Sequence, residues 1–161
     1  MKPPVLWFYG LSGSGKTTLA NYAYFVLATK YYPVVFLDAD KLRNEYWPEL
    51  GLSRDSRIEN TRRIVKLAKS YYSLDCAIVV AASAPFQQQR EEALQTFPQI
   101  KFISVNTPLH ICVLRKPHVY GVDNENKVTL IDRLPLPWAE INCDQDIKES
   151  LTNLASVLEK V

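Results

Sequence analysis

A phosphate-binding loop motif constrains the fold of this chain more than any other feature. Residues 10–17 read G-L-S-G-S-G-K-T and match the pattern G-x-x-x-x-G-K-[ST]. The motif follows the apolar run V-L-W-F-Y at 5–9 and precedes T-L-A at 18–20, as a strand, glycine turn and helix would require. Three of the five glycines of the chain lie in it, and glycine lets a backbone curl until several N–H groups point at one anion. The motif predicts binding of a nucleoside triphosphate.

The residues of this loop have distinct predicted roles. Backbone amides and the positive end of the following helix dipole would hold phosphate oxygens. Lys16 would reach the β- and γ-phosphates, and the Thr17 hydroxyl would complete the shell of a Mg²⁺ ion. ATP and Mg²⁺ are therefore the expected cofactors. A glycine-rich turn with an exposed lysine is the alternative, which the spacing of the motif disfavours. The predicted phosphate-binding residues are Gly10, Ser12, Gly13, Ser14, Gly15, Lys16, Thr17 and Thr18.

Composition excludes several classes of protein. A length of 161 residues suits one domain, and 47% hydrophobic with 22% charged residues is ordinary for a globular protein. A net charge of +2 is too small to indicate nucleic acid as an obligatory partner. The three cysteines lie far apart, which predicts neither a disulfide framework nor a zinc site. No apolar run approaches a membrane span, and residues 1–4 leave no room for a signal peptide before the first strand. We therefore expect a cytoplasmic protein without a nucleic-acid or membrane partner.

Hydrophobic patterning alternates between strand and helix along the chain. Continuous apolar runs predict strands at 5–9, 34–37 and 77–82, and a further strand is predicted at 100–105. Helical spacing predicts helices at 16–30, 56–72, 86–97 and 147–161. Ser56 and Glu59 have the spacing of a capping box, and a short helix is predicted to start at Thr107 with Pro108 in its first position.

This alternation predicts an α/β fold, a P-loop NTPase three-layer sandwich with a mainly parallel sheet covered by helices on both faces. We expect a single domain over residues 1–161. Residues 116–127 lack periodicity and contain Pro, Gly, Asp and Asn, so they are predicted to be a loop. With the segment that follows, they form a predicted lid-like loop at about 116–137.

A second group of polar residues follows the later strands. In open α/β sheets, ligands bind beyond the carboxyl ends of the strands. Asp38 and Asp40 close the second predicted strand, Arg43 comes after them, and the segment 83–86 follows the third. A carboxylate that faces the γ-phosphate can accept a proton from an attacking hydroxyl or help hold Mg²⁺. Asp-Ala-Asp alone is more typical of a turn with a helix cap, but opposite a phosphate-binding loop the catalytic interpretation is favoured.

Together these segments resemble the adenylylsulfate kinase family over most of the chain, from the phosphate loop to near Tyr120. Residues 37–43 match L-D-G-D-x-x-R, and residues 51–63 match G-F-S-x-x-D-R-x-E-N-x-R-R. Residues 83–86 with Arg90 are similar to I-S-P-[YF] and its trailing arginine. Residues 107–120 are similar to the segment P-L-x-x-C-x-x-R-D-P-K-G-L-Y that opens the lid. The matches at 37–43 and 51–63 are more specific than the phosphate loop, which many NTPases share.

The resemblance implies an ATP-dependent kinase that phosphorylates the ribose 3′-hydroxyl of adenosine 5′-phosphosulfate, a small nucleotide acceptor. Lys16 and Asp40 would be the catalytic residues, with Asp40 aimed at the acceptor hydroxyl. Guanidinium groups suit tetrahedral oxyanions, and Arg115 with His118 would belong to the lid. Family members are commonly dimers, so a homodimer is implied. The implied acceptor-binding residues are Asp38, Arg43, Arg57, Asn60, Ala84 and Phe86.

Structural roles compete with some of these assignments. Arg62 and Arg63 have the position of a solvated helix face, and at least one of them is expected to be only that. Arg57 has Asp55 and Glu59 within reach on a helix and could pair with either.

Several residues depart from the family pattern. Leu52 stands where the family has Phe, which leaves the acceptor adenine without that aromatic face. Ser56 replaces an Asp, Ala84 replaces a Ser and His118 replaces a Lys. The family segment F-T-G-I-D-x-P-Y-E-x-P has no evident counterpart, and Trp138 could supply a stacking ring or be a core residue.

These departures leave three interpretations open. The first is a kinase that acts on adenosine 5′-phosphosulfate. The second is a related kinase with a changed acceptor, another nucleotide or a sugar hydroxyl. The third is a nucleotide-binding module without turnover, which the joint presence of Lys16, Thr17 and Asp40 disfavours. A nucleic-acid-linked ATPase is a weaker candidate, because the chain lacks a long basic stripe.

Overall fold

A computed structural model describes residues 2–31, 33–144 and 146–161 of the chain. Strands and helices alternate along these residues almost throughout. The strands are Val5–Tyr9 (β1), Val34–Asp38 (β2), Ala77–Ala81 (β3), Ile100–Asn106 (β4) and Ala139–Asn142 (β5). The helices are Lys16–Ala28 (α1), Ala39–Tyr46 (α2), Arg54–Tyr72 (α3), Gln87–Thr96 (α4), Leu109–Arg115 (α5) and Ile147–Leu158 (α6).

All five strands run parallel in one sheet with the order β2-β3-β1-β4-β5. The first strand of the chain therefore lies in the middle, and it is buried along its whole length, as is β3. The registers place the ends of neighbouring strands level: Asp38 lies opposite Ala81, and Asn106 lies opposite Asn142. The carboxyl ends of the strands consequently form one edge.

Alternating side chains of the sheet pack into two separate cores. Trp7, Val80 and Phe102 point to one face, where Ile64 and Ala93 of α3 and α4 cover them. Leu6, Phe8 and Ile103 point to the other face, which is covered by residues of α1 and α6. The predicted α/β sandwich with helices on both faces is confirmed. Among the described residues, no helix has both the length and the apolar composition needed to cross a membrane.

Two elements were not predicted from the sequence. Helix α2 occupies residues where the Asp-Ala-Asp pattern alone suggests a turn, and only Ala39 and Leu42 of it are buried. Strand β5 is short, and Ile141 is its one buried residue. Neither segment carries enough apolar residues to give a periodic signal. The conformation of both depends instead on contacts with other parts of the chain.

Two predicted helix starts are wrong in detail. Helix α3 begins at Arg54, and its cap is Ser53, whose hydroxyl accepts the backbone N–H of Ser56. The predicted capping box of Ser56 and Glu59 does not form; Glu59 accepts a hydrogen bond from Arg63 instead. Pro108 lies at the cap of α5 rather than inside its first turn.

A fully buried arginine joins the loop after β3 to the segment before β5. The Arg90 guanidinium lies over the Tyr9 ring at 4.5 Å and donates to the backbone carbonyls of Ala84, Asp132 and Leu134. Burial lowers the pKa of Arg90, although nearby Tyr9 and Asp132 oppose that effect. The Asp132 amide also donates to the Pro85 carbonyl at 2.8 Å. Arg90 therefore anchors residues 131–134 against the edge formed by the carboxyl ends of the strands.

Replacement of Arg90 by methionine tests this anchor. Methionine fills much of the same volume but leaves three carbonyls without their donor, that of Ala84 buried and those of Asp132 and Leu134 partly buried. We therefore expect Arg90→Met to lower the free energy of unfolding by about 2–4 kcal/mol. Urea denaturation measures the change. Arg133→Met is the matched control, because Arg133 lies in the same segment with an exposed side chain. Equal stability of Arg90→Met and the unaltered protein would contradict the assignment.

Candidate active site

The phosphate-binding loop is held tightly by its neighbours. A Cβ atom on Gly10 would lie 2.6 Å from the Val105 carbonyl oxygen, so only glycine fits there. Gly13 has φ +82°, and a Cβ on it would lie 3.0 Å from the Cys112 carbonyl oxygen. The Gly10 amide donates to the Ser83 carbonyl at 3.3 Å. Strands β3 and β4 and helix α5 therefore fix the path of the loop.

The loop leads into a helix whose first turn has no side-chain cap. Gly15 is the N-cap residue of α1, and the amides that follow it are not satisfied by a capping side chain. Thr17 and Thr18 are exposed in this turn. Open amides at the positive end of a helix are suited to phosphate oxygens. Ser14 differs, because its side chain is fully buried and its amide donates to the Leu11 carbonyl at 3.1 Å.

Lys16 lies inside the loop rather than in solvent. Its ammonium donates to the Leu11 carbonyl oxygen with an Nζ–O distance of 3.0 Å. Burial lowers the pKa of Lys16 to about 8, while the charge of Asp40 acts in the opposite direction. The ammonium is therefore mainly protonated at neutral pH, and the carboxylate that follows β2 is near enough to act on it electrostatically.

The two aspartates after β2 have different surroundings. Asp38 caps α2: its Oδ1 accepts the amides of Asp40 and Lys41, both at 3.0 Å. Asp40 is largely exposed, and its Oδ1 accepts from the Arg43 guanidinium at 2.9 Å. The cap therefore fixes the first turn of α2 and orients Asp40 toward the open edge.

Three further predicted residues surround Asp40. Arg43 and Arg57 line one small cavity with Asp40 and Asn60. Burial lowers the pKa of Arg57, and the positive charge of Arg43 lowers it further. The Asn60 side chain is buried, and its Oδ1 accepts the Trp47 indole N–H at 2.6 Å. The two guanidinium groups are close enough to repel each other, so together they create a positive potential that would favour binding of an anion.

Arg57 forms no ion pair with a carboxylate in the described part of the chain. Its Nε donates to the Leu52 carbonyl at 2.8 Å, and one terminal nitrogen donates to the Asn126 carbonyl at 3.1 Å. The expected alternative pairing with Asp55 or Glu59 is absent among the described residues. Since Asn126 belongs to the segment between α5 and β5, Arg57 links helix α3 to that segment.

Residues 84–86 line the same edge from β3. Ala84 is buried with φ 37°, and its carbonyl accepts from Arg90. Phe86 precedes α4, and the Arg54 guanidinium lies over its ring with a Cζ–centroid distance of 4.1 Å. Ala84 thus lines the small cavity with Asp40, whereas Phe86 lines a second cavity that shares Arg57 with it.

A larger cavity of about 380 Å³ adjoins this group, and Arg57 lines both. Helix α3, Phe86 and the segment between α5 and β5 form its walls. Sequence analysis placed that segment in the predicted lid but gave its residues no role at α3, because no pattern links them to that helix. The cavity is lined by Leu52, Arg54, Arg57, Phe86, Glu125, Asn126, Lys127, Val128, Thr129, Leu130 and Asp132.

The predicted lid residues lie after β4. The Arg115 guanidinium donates to the Gly13 carbonyl at 3.1 Å, and the Tyr120 hydroxyl donates to the Ser12 carbonyl at 2.6 Å. His118 is exposed between them. The motif at 107–120 contains Tyr120, but sequence reasoning gave it no role. The segment from 116 to 138 contains no helix or strand, consistent with the predicted loop.

Other candidates from the sequence have structural partners. Arg62 forms a two-pronged ion pair with Glu92 at 2.7 and 2.9 Å, and Arg63 bonds Glu49 and Glu59. The expectation that at least one of them serves the helix face is consistent with these pairs. Trp138 precedes β5 at the end remote from the catalytic edge and lies against Lys101. At that position Trp138 is too far from the site to stack on an acceptor, and it is not part of the core.

The protein offers few ligands for a metal ion. Within the parts of the chain that the structure describes, no group of three His, Cys, Asp or Glu side chains could hold one. Thr17 and Asp38 line a common cavity beside the loop. Because Mg²⁺ keeps several waters and binds nucleotide phosphates through few protein ligands, this sparse set fits a magnesium–nucleotide complex.

Known proteins are similar to this chain in sequence and in fold. Residues 2–133 match the family model described as adenylylsulphate kinase. An adenylyl-sulfate kinase of Marinobacter nauticus is 31% identical over 168 residues, which covers 95% of this chain and 84% of that protein. One from Vibrio vulnificus is 34% identical over 154 residues, with 86% and 74% covered. The structure of the Mycobacterium tuberculosis APS kinase CysC in complex with AMPPNP and APS superposes with a TM-score of 0.84, at 26% identity and 98% coverage of both chains.

Removal of the Tyr120 hydroxyl tests the bond between this segment and the loop. Tyr120→Phe leaves the Ser12 carbonyl without its donor, so the loop is less well ordered for phosphate. We expect the Kd for ATP to rise about threefold to tenfold. Isothermal titration calorimetry measures this value. Tyr72→Phe, at the carboxyl end of α3 where the ring packs against Phe97, is the control and should bind ATP as the unaltered protein does. An unchanged Kd for Tyr120→Phe would refute the role.

Proposed function

The chain belongs to the adenylylsulfate kinase family, and on this basis we propose that it transfers the γ-phosphoryl group of ATP to the 3′-hydroxyl of adenosine 5′-phosphosulfate. The products are ADP and 3′-phosphoadenosine 5′-phosphosulfate. One observation carries the proposal: the parallel sheet brings the Lys16 loop, the Asp40 carboxylate and the Arg43–Arg57 pair to one edge.

The loop supplies the donor half of the reaction. Residues 10–18 would hold the phosphates of ATP with backbone amides, and Lys16 would release the Leu11 carbonyl and bind the β- and γ-phosphates. Thr17 would hold Mg²⁺ together with phosphate oxygens, and the ion would neutralise charge that develops on the transferred group. Exclusion of water by Arg115, His118 and the segment 116–137 would protect the γ-phosphate from hydrolysis.

Asp40 supplies the acceptor half. Its carboxylate would accept the proton of the 3′-hydroxyl while the oxygen forms a bond to the γ-phosphorus and the bond to the β–γ bridging oxygen breaks. The pair with Arg43 holds the Asp40 carboxylate in place. Most of the rate acceleration would come from alignment and from positive charge around the phosphoryl group.

The acceptor phosphosulfate would bind to Arg43, Arg57 and Asn60. For this, Arg57 exchanges the Asn126 carbonyl for an anionic oxygen, which makes a stronger, charge-assisted hydrogen bond. Phe86 and the backbone of Ala84 would lie against the nucleoside. Asp38 stays a predicted acceptor residue, although its Oδ1 also caps α2.

A changed acceptor is the second candidate. The larger cavity has Leu52, Val128 and Leu130 on its walls, and these side chains have no aromatic face. A coupled ADP-release assay separates the candidates: turnover stimulated by adenosine 5′-phosphosulfate supports the first, and stimulation only by another nucleotide or a sugar supports the second.

Further features of the protein remain proposals. We propose that residues 1–161 form one kinase domain in which the segment 116–137 acts as a lid. Assembly into a homodimer and a cytoplasmic location are likewise expected.

Substitution of Asp40 by asparagine tests the catalytic carboxylate. Asparagine has the same shape but cannot accept the hydroxyl proton, so kcat should fall about 10²–10⁴-fold. The Kd for ATP should change less than about threefold, because phosphate binding depends on the loop. Steady-state ADP release and calorimetry give the two values. Near-full activity of Asp40→Asn would remove Asp40 from the mechanism.

Substitution of Arg57 by alanine tests anion binding by the acceptor site. Loss of a charged hydrogen-bond donor should raise the KM for adenosine 5′-phosphosulfate about tenfold to a hundredfold, with a smaller effect on the KM for ATP. Arg62→Ala is the control, since Arg62 lies on the same helix and pairs with Glu92. If Arg57→Ala and Arg62→Ala have the same acceptor KM, Arg57 is a structural residue.

A further inference from the structure

We propose that Arg54 recognises the base of the acceptor nucleotide by stacking the flat face of its guanidinium against it. The inference rests on the proposed function, because it requires an acceptor that carries a purine. Arg54 is the first residue of α3, directly after the cap Ser53. Its Cζ lies 4.1 Å from the centroid of the Phe86 ring.

The two adjoining cavities set the direction of the acceptor. Asp40, Arg43 and Arg57 line the small one, and Arg57 also lines the large one of about 380 Å³. With the reacting hydroxyl at Asp40 and the anionic group at the two arginines, the base extends into the large cavity. Arg54 and Phe86 are on its wall.

Arg54 covers the aromatic surface that a base would otherwise use. Among the residues that line the large cavity, Phe86 alone is aromatic, and Leu52, Val128 and Leu130 are aliphatic. The Arg54 guanidinium already occupies one face of the Phe86 ring. A guanidinium is planar and weakly hydrated, and it stacks on aromatic faces. Since Arg54 is exposed and lines the cavity, its outer face is available to a base.

Stability gives no reason for an arginine at this position. The first turn of a helix is the positive end of its dipole, where a cation is unfavourable. No ion pair of Arg54 occurs among the residues that the structure describes. Its only described side-chain contact is with Phe86, so removal of Arg54 should leave the fold intact.

Steady-state kinetics with adenosine 5′-phosphosulfate as the varied substrate test the inference. Arg54→Ala should raise the acceptor KM about fivefold to 150-fold, which corresponds to a base-stacking contribution of about 1–3 kcal/mol, with kcat and the KM for ATP unchanged. Arg54→Lys keeps the positive charge but has no planar group that can stack, so its acceptor KM should stay close to that of Arg54→Ala. Lys66→Ala is the control: it removes one positive charge from an exposed position of the same helix and should change nothing.

Inhibition of the acceptor reaction separates base recognition from charge. At saturating ATP, Arg54→Ala should weaken competitive inhibition by adenosine 5′-phosphate and leave inhibition by ribose 5-phosphate unaltered. Equal weakening of both inhibitors would mean that Arg54 acts only through its charge, and that result overturns the inference. An unchanged or lower acceptor KM for Arg54→Ala would mean that the base stacks on Phe86 directly, which also overturns it.

The same assay distinguishes failure of this inference from failure of the proposed function. If the unaltered protein shows no turnover stimulated by adenosine 5′-phosphosulfate, the proposed function fails and the inference fails with it. If the unaltered protein is active and Arg54→Ala equals it in acceptor KM, the inference alone is overturned. Melting temperatures within a few degrees of each other, expected for all variants, show that the kinetic differences do not come from unfolding.

Discussion

The parallel alignment of five strands is the constraint on which the site depends. Every strand delivers its carboxyl end to one edge, so residues far apart in the chain meet there. The phosphate loop follows β1, the Asp40 helix follows β2, and Phe86 follows β3. An antiparallel strand would send its following loop to the opposite edge. The site therefore depends first on the common direction of the strands, which brings its residues together, and then on the identity of each side chain.

Two kinds of structure border this edge: elements held by backbone contacts, and a segment without helix or strand. Backbone contacts with Val105 and Cys112 hold the loop, and the cap by Asp38 holds the first turn of α2. The segment without helix or strand lies between α5 and β5. Hydrogen bonds of Tyr120, Arg57 and Arg90 connect it to the phosphate loop, to α3 and to α4. In the proposed function, donor phosphates would therefore meet a backbone held by packing, whereas the acceptor would partly meet residues held by side-chain hydrogen bonds between distant parts of the chain.

Local pattern predicted the elements that form the interior. Buried strands such as β1 and β3 are continuous apolar runs, and α1 and α6 each show an apolar stripe. Helix α2 and strand β5 escaped prediction because each buries only one or two side chains. Their conformation comes from a cap and from pairing with β4, and neither is visible in hydrophobic spacing. The cap of α3 was misplaced by three residues, since Ser53 and Ser56 both have a suitable side chain.

By itself, the sequence determined the phosphate loop and the fold class, because these depend on local spacing and on hydrophobic pattern. The grouping of Asp40, Arg43 and Arg57 was predicted from the resemblance of residues 37–43 and 51–63 to family motifs. Tertiary structure decided which side chains share a cavity. The contacts of Arg57 with Asn126, of Tyr120 with Ser12 and of Arg54 with Phe86 join residues 32 to 108 positions apart. Such contacts arise from the packing of loops with no periodic pattern, so nothing in the spacing of residues could have revealed them.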